Sequence, residues 1–238
     1  MKFENTEVWG FEHAIRGMRN PMNSWGKSDS VFGVKVRGTG ATVGHKSIIN
    51  SFDNGFIEYA IIGEADLHLM QALIKAGSEH RKFMRQIFVS VDITAPLYWW
   101  KEADQYKVGT VSNSCSTMHK LASTPITIEC FETDDFDEAA VGFSVEQLLT
   151  ALDEMRLKYL STKDERYWKE LIRWLPESWL QKRTITMNYE NLLAMCSKGQ
   201  RRFHKLTEWS KSFIVWARTL PYAQELIFID ELSEKSGR

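Results

Sequence analysis

The stretch that most limits what this chain can become is IFVSVDIT, Ile87–Thr94, which alternates with a period of two and runs at once into Pro96 and a segment with helical spacing. The alternation predicts a half-buried strand, with Ile87, Val89, Val91 and Ile93 toward a core and Phe88, Ser90 and Asp92 on the other side. Proline is tolerated in a first helical turn because its missing N–H would have no partner there. LYWWKEADQY is therefore expected to form nearly three turns, with Leu97, Trp100 and Asp104 on one side and Tyr98, Lys101, Glu102 and Gln105 on another. A polar loop over 108–124 follows, carrying Ser112, Asn113, Ser114, Ser116, Thr117 and His119. These hydroxyl and amide groups are too dense for a core, and they mark the loop as a candidate ligand site.

On the N-terminal side, Phe11, Ile15 and Met18 predict a short helix that stops at Asn20-Pro21. Val31 to Asn50 carries four glycines and the alternation VFGVKVRG, which predicts a strand or hairpin, and FIEYAII predicts another strand. From Glu64 the period becomes helical, with Leu67, Met70, Leu73 and Ile74 on one face and Gly77 as the stop, after which Ser78 is expected to cap a helix over 79–86. Beyond the polar loop we expect a strand at ITIECF and an acidic connector, ETDDFDE. A helix over 145–160 should follow, with Ser144 and Gln147 as a capping box, then a helix ERYWKELIRWL capped by Asp164 and stopped at Pro176. TITMN should lead into a helix over 189–197 broken at Gly199. The last helix carries Leu206, Trp209, Phe213 and Trp216 and ends at Pro221, and the tail LSEKSGR is expected to fray.

No Pro/Gly/Ser-rich seam divides the 238 residues, so one domain is expected. Thirty basic residues against 31 acidic ones leave a net charge of −1, which makes no electrostatic case for nucleic acid or a membrane surface. Cys115, Cys130 and Cys196 are odd in number and fall in no metal-binding pattern. With no leader-like N-terminus, they point to a reduced, cytoplasmic protein without a bound metal. Walker, GxSxG, HExxH and GxGxxG signatures are absent. Cys115 and His119 lie four apart, but no third group orients them as a nucleophile and base. The acidic pairs Asp134-Asp135 and Asp137-Glu138 read as a solvated connector. His80, Arg81, Lys82 and Arg85, with Lys101, Lys107, Arg173, Arg201 and Arg202, suit an anionic ligand that needs several donors, or else simply a soluble surface. The tryptophans at 99–100 and 209/216 suit a core or a subunit interface.

In order from about Gly77 to Leu226, the chain resembles the flavin-dependent thymidylate synthases (ThyX). His80 resembles that family's flavin-contacting histidine, and Gln105-Tyr106-Lys107 occupies the place of its Arg-His-Arg. Asn113 to His119 matches Asn-Glu-x-Ser-x-Arg-Tyr in its Asn and Ser alone. Arg173-Trp174-Leu175-Pro176 is similar to Ala-Arg-x-x-Leu-Pro with one residue fewer. Thr186-Met187-Asn188 followed by LLAM is similar to Thr-x-Asn-x-Arg-Ser-Leu-Leu, with Glu190 in place of the arginine. Lys198, Arg201 or Arg202 stands where the next nucleotide-binding arginine would be, and LTEWSKS where the family has its Gln-x-Glu-Ile-Arg helix.

The resemblance implies an α+β fold, a mixed or antiparallel sheet flanked by helices, assembled as a homotetramer with sites shared between subunits. It implies a single ThyX-like domain over 1–238, with 1–63 variable, 64–227 family-like and 228–238 a tail. It further implies FAD as cofactor and dUMP or a related nucleotide as substrate, with NADPH and methylenetetrahydrofolate if the family reaction survives. His80, Gln105, Tyr106, Lys107 and Asn188 would serve the flavin; Asn113, Ser116, His119, Arg173 and Arg201 would meet the nucleotide. No catalytic residue is assigned. Replacing Arg-His-Arg by Gln-Tyr-Lys keeps one charge, and lysine cannot clamp an anion as a guanidinium fork does. Ordinary dUMP methylation is therefore expected to be impaired or absent. The alternatives are a silent relative that binds a nucleotide or a protein partner, and an interaction protein working through exposed tryptophans.

Overall fold

A computed structural model describes residues 1–36, 48–137, 139 and 144–235. The chain forms two compact units, one of Met1–Lys2, Asp92–Gln105 and Ser112–Thr184, the other of Phe3–Val91, Tyr106–Val111 and Ile185–Arg238. A four-stranded sheet has the order β1 (Lys2–Trp9), β5 (Phe88–Pro96), β7 (Leu180–Asn188), β6 (Val111–Ser114). A three-stranded sheet has the order β2 (Val31–Val36), β4 (Phe56–Ile61), β3 (Ile48–Ser51). Strands and helices alternate irregularly along the chain, and the fold class is α+β.

In the second unit, β4 pairs antiparallel with both neighbours, with Val31 opposite Ile61 and Gly33 opposite Tyr59. Of the strand or hairpin expected over Val31–Asn50, the strand forms as β2, and its ends do not pair as a hairpin, since β4 lies between β2 and β3; residues 37–47 lie outside those described. Helix α1 (Phe11–Arg19) buries Phe11, Ala14, Ile15 and Met18, as its spacing requires. Phe11 packs edge-on to Tyr189 at 5.5 Å and tilted on Tyr222 at 5.8 Å. Helix α2 (Glu64–Lys75) is followed by Gly77 in the left-handed region at φ 111°. The helix expected over 79–86 is instead a 3-10 turn, Arg81–Gln86, and Ser78 does not cap it. The amides of His80 and Arg81 both turn back to the Gly77 carbonyl at 3.1 Å, which tightens the entry.

The sharpest polar feature of this unit is Asp66, fully buried on α2. Its carboxylate accepts from Arg19 Nε at 2.6 Å, Ser28 Oγ at 2.6 Å and Ser30 Oγ at 2.7 Å, and from the amides of Asp29 and Ser30 at 3.2 Å. Burial raises this carboxyl, yet the bonds from Ser28, Ser30 and Arg19 outweigh it and hold the group below its ordinary value. The loop 20–30 is thereby clamped onto α2.

In the first unit, α3 spans Leu97–Ala103, shorter than its spacing suggests, and Asp104 at its end accepts from Arg183 at 3.0 Å. Trp99 and Trp100 are both core residues, edge-to-face at 4.9 Å. Trp100 Nε1 donates to the Gln181 carbonyl at 3.0 Å, and the Arg183 guanidinium lies 4.3 Å over its ring. After α4 (Thr117–Lys120), ITIECF is not the strand that its composition suggests. It makes a 3-10 turn at Ile128–Cys130 and a single bridge from Phe131 to Trp179, because the Ile126 amide is taken by the Asp153 carboxylate at 3.1 Å and Ile128 is 41% exposed. Of the acidic connector, Glu138 lies outside the described residues. Helix α5 (Val145–Thr162) is capped by the Ser144 side chain accepting from the Gln147 amide. Helix α6 (Glu165–Arg173) is capped by Asp164 accepting from the Arg166 amide.

The remaining helices belong to the second unit. Helix α7 (Tyr189–Met195) ends before Ser197, and α8 (Lys198–Phe203) runs through Gly199. The break expected at Gly199 falls instead at Ser197, whose ψ of 158° is extended. A π-helical turn, Glu208–Phe213, precedes α9 (Ile214–Arg218), so the last periodic segment is not one regular helix. Trp209 and Phe213 are both fully buried there, with Trp209 Nε1 donating to the Met195 carbonyl at 3.0 Å. After α10 (Ala223–Leu226), α11 (Ile229–Lys235) takes in the first part of the tail expected to fray. No helix among the described residues is long and apolar enough to cross a membrane.

Candidate functional site

Asn188 ends β7 and caps α7. Its Oδ1 accepts from the amides of Glu190 at 3.1 Å and Asn191 at 3.0 Å, while Asn191 Oδ1 accepts from the Asn188 amide at 3.2 Å, a reciprocal capping box. This helix start also receives a distant turn, Tyr106–Thr110. Asn191 Nδ2 donates to the Val108 carbonyl at 2.9 Å. Gly109, at φ 73°, comes so close that a methyl group placed on it would lie 2.8 Å from Asn188 Nδ2. The turn is closed by the Thr110 amide donating to the Lys107 carbonyl at 3.2 Å and by Thr110 Oγ1 donating to the Tyr106 carbonyl at 2.9 Å. Glycine is required here twice over, by conformation and by space.

The two ends of this turn differ in character. Tyr106 is half-buried; its hydroxyl accepts from Gln200 Nε2 at 2.8 Å and its ring lies 5.7 Å from Trp209, which stacks on His204 at 4.6 Å. Lys107 is exposed and has no ion-pair partner among the described residues. A half-buried ring braced from behind by a buried tryptophan, followed in the chain by an exposed lysine, suits a flat ligand bearing negative charge.

Three arginines of this unit are already engaged. Arg81 Nε lies 3.4 Å from the Glu190 carboxylate, and Arg85 binds the same carboxylate through Nε and Nη2. Its hydrogen bond to Glu190 raises the Arg85 pKa. Glu190, which stands where the resemblance would put an arginine, thus offsets one of two guanidinium charges. Arg201 donates to the Cys196 carbonyl and to Asp230 at 2.8 Å, with Glu231 at 3.2 Å, so it ties α11 to α8. His80 is exposed at the head of the 3-10 turn.

Tyr106, Lys107 and Asn188 are thus brought together in the second unit, with Asn188 only 3% exposed and acting through the turn it seats. His80 and Arg201 lie in the same unit, whereas Gln105, Asn113, Ser116, His119 and Arg173 lie in the first. Gln105 Nε2 donates to the Lys101 carbonyl at 3.2 Å; Asn113 is exposed on β6. Ser116 caps α4 by accepting from the His119 amide at 3.1 Å, which joins those two candidates. Arg173 pairs with Glu170 on α6. Sequence reading passed over Asn191 and Gly109. The first had a local signal, an asparagine three residues after an asparagine at a strand end; the second had none, because its constraint comes from a residue far along the chain.

No protein-family model and no curated protein matches the chain. Solved structures do. The flavin-dependent thymidylate synthase ThyX from Helicobacter pylori, complexed with FAD and dUMP, superposes with a TM-score of 0.61 at 14% identity, covering 97% of this chain and 99% of that one. A second structure of ThyX from Helicobacter pylori with FAD and dUMP gives 0.66 at 13% identity, covering 97% and 98%. The fold is that of ThyX. Both matches span nearly the whole of each chain, so the N-terminal strands and the C-terminal helices belong to the likeness as well.

Proposed function

We propose that this chain is a divergent flavin-dependent thymidylate synthase-like protein that binds FAD and a uridine nucleotide of the dUMP type. Methyl transfer in it is slow or lost. The observation that carries this reading is the seating of the Tyr106–Thr110 turn on the Asn188–Asn191 capping box, which presents Lys107 beside Tyr106. The turn stands where the resemblance expects a flavin-holding triplet, and Asn188 where it expects a flavin-side asparagine. In this reading Lys107 neutralises a phosphate, Tyr106 offers a ring fixed by Gln200, and Asn188 positions both by holding the turn. His80 and Gln105 complete the flavin side. Asn113, Ser116, His119, Arg173 and Arg201 serve the nucleotide, in an assembly of several copies, a homotetramer, in the cytoplasm. Bound FAD would supply the redox chemistry, and NADPH and methylenetetrahydrofolate enter only where the full reaction survives.

The donor set fits binding better than turnover. Lys107 is uncommitted among the described residues, and two arginines share the Glu190 carboxylate. This sharing favours a second reading, a silent relative that holds a nucleotide without transforming it. Titrating FAD into Lys107→Ala and Glu190→Gln tests the assignment. A lost charge-assisted contact costs about 1.5–3 kcal/mol, so Lys107→Ala should weaken binding by roughly ten- to a hundredfold. Glu190→Gln releases both guanidinium groups and should tighten it. Unchanged affinity in both variants contradicts the site. Thymidylate formation by the wild type would decide against the silent reading.

A further inference from the structure

A cavity lies in the second unit, walled by the start of α1 and by the β2-β4-β3 sheet, and its described lining shares no residue with the turn at 106–110. Its volume is about 310 Å³, the size of a small organic molecule. Trp9, Phe11, Phe32 and Ile49 supply its apolar walls, and Glu12 and Glu58 its carboxylates. Among the described residues that line it none is a lysine or arginine, and the other ionisable ones are His13 and Tyr59. Among the described residues neither Glu12 nor Glu58 has an ion-pair partner.

The walls are held in place. Gly10 takes φ 95°, and a methyl there would lie 2.0 Å from the Gln86 carbonyl oxygen, so the chain turns tightly between Trp9 and α1. Trp9 leans on Phe88 at 5.7 Å and stays 38% exposed. Asn50 fixes Glu58: its amide donates to Glu58 Oε2 at 2.6 Å and to the Val8 carbonyl at 3.0 Å, and its Oδ1 accepts from the Val8 amide at 3.0 Å. Glu58 Oε1 has no hydrogen-bond partner among the described residues. A half-buried carboxylate positioned by an amide, with one oxygen uncommitted and aromatic rings around it, costs desolvation that an occupant of opposite charge would offset.

We propose that this cavity binds an organic cation: an ammonium group between Glu12 and Glu58, with an aromatic or aliphatic body against Trp9 and Phe32. Rings attract a cation through their faces, and the two carboxylates reject anions of the same shape. The test uses the full chain and two probes of similar size, benzyltrimethylammonium and benzenesulfonate, followed by calorimetry and by melting-temperature shift. The cation should bind and the anion should not. Glu58→Gln, whose amide oxygen still accepts from Asn50, and Glu12→Gln should each weaken cation binding about fivefold, and Trp9→Leu by a similar factor. Cation and anion binding alike, no cation binding at millimolar concentration, or undiminished affinity in Glu58→Gln would each overturn the proposal. FAD affinity should be unchanged in these variants, so failure here and failure at the Lys107 turn are separate results.

Discussion

Replacing Gly109 by alanine tests whether the Tyr106–Thr110 turn is seated on α7 as described. Two costs add. The backbone stays at φ 73°, where a Cβ costs about 1–2 kcal/mol relative to glycine. The new methyl would also meet Asn188 Nδ2 at 2.8 Å and push the amide that caps α7, and losing such a cap costs about 0.5–2 kcal/mol. Together Gly109→Ala should destabilise by about 2–4 kcal/mol, read as a lowered urea midpoint with an unchanged slope. Asn188→Ala should itself cost about 1–2 kcal/mol through the cap. The double variant carries the second test, since with the amide gone the methyl meets nothing there and only the backbone cost should remain. Gly109→Ala should therefore cost about 1 kcal/mol less in the Asn188→Ala background than in the wild type. Strictly additive effects, or a loss below about 0.5 kcal/mol for Gly109→Ala alone, would refute the contact.

Two further outcomes follow from the second unit. Asp66→Asn leaves the buried Arg19 without its counter-charge, and removing one member of such a pair costs about 3–5 kcal/mol. The folded-state pKa of Asp66 is lowered from 3.8, so its contribution is complete above about pH 4 and fades as pH falls through the folded value. The gap between wild type and variant in urea unfolding should accordingly be widest at neutral pH and shrink in acid, and a gap that grows in acid would contradict it. Cys196 is fully buried, and burial pushes its thiol up to about 12, while Cys115 is exposed. A thiol-disulfide reagent at pH 8 should modify Cys115 readily and reach Cys196 only on unfolding; rapid labelling of Cys196 in the native protein would contradict that burial.

What could be read from the residues was mostly local. The two-residue period of β5 is visible because Val89, Val91, Ile93 and Ala95 all reach the core, and each is fully buried. The caps at Ser144 and Asp164 involve groups two or three residues apart, and both form. The misses are non-local. Leu180 to Lys182 lie outside TITMN, the stretch expected to lead into the next helix, yet they open β7 because the Gln181 carbonyl accepts from Trp100 and its side chain donates to the Cys115 carbonyl at 3.0 Å. ITIECF had strand composition, but an aspartate from α5 took its first amide. At the candidate site, Tyr106 and Lys107 were singled out by position. What holds them, Asn191 on Val108 and Gly109 against Asn188, spans some eighty residues and leaves no mark on a linear pattern. The same holds for Glu190. Its place in the motif was evident, but its engagement of Arg81 and Arg85, and hence the local loss of free positive charge, needed the fold.

The most direct measurement is the absorbance spectrum of the purified, undenatured protein after incubation with FAD and removal of the unbound cofactor. A retained flavin band, released on denaturation and diminished in Lys107→Ala, is the result that the seated turn and its lysine predict. A colourless protein that takes up no FAD at micromolar to millimolar concentration would contradict flavin binding on this fold.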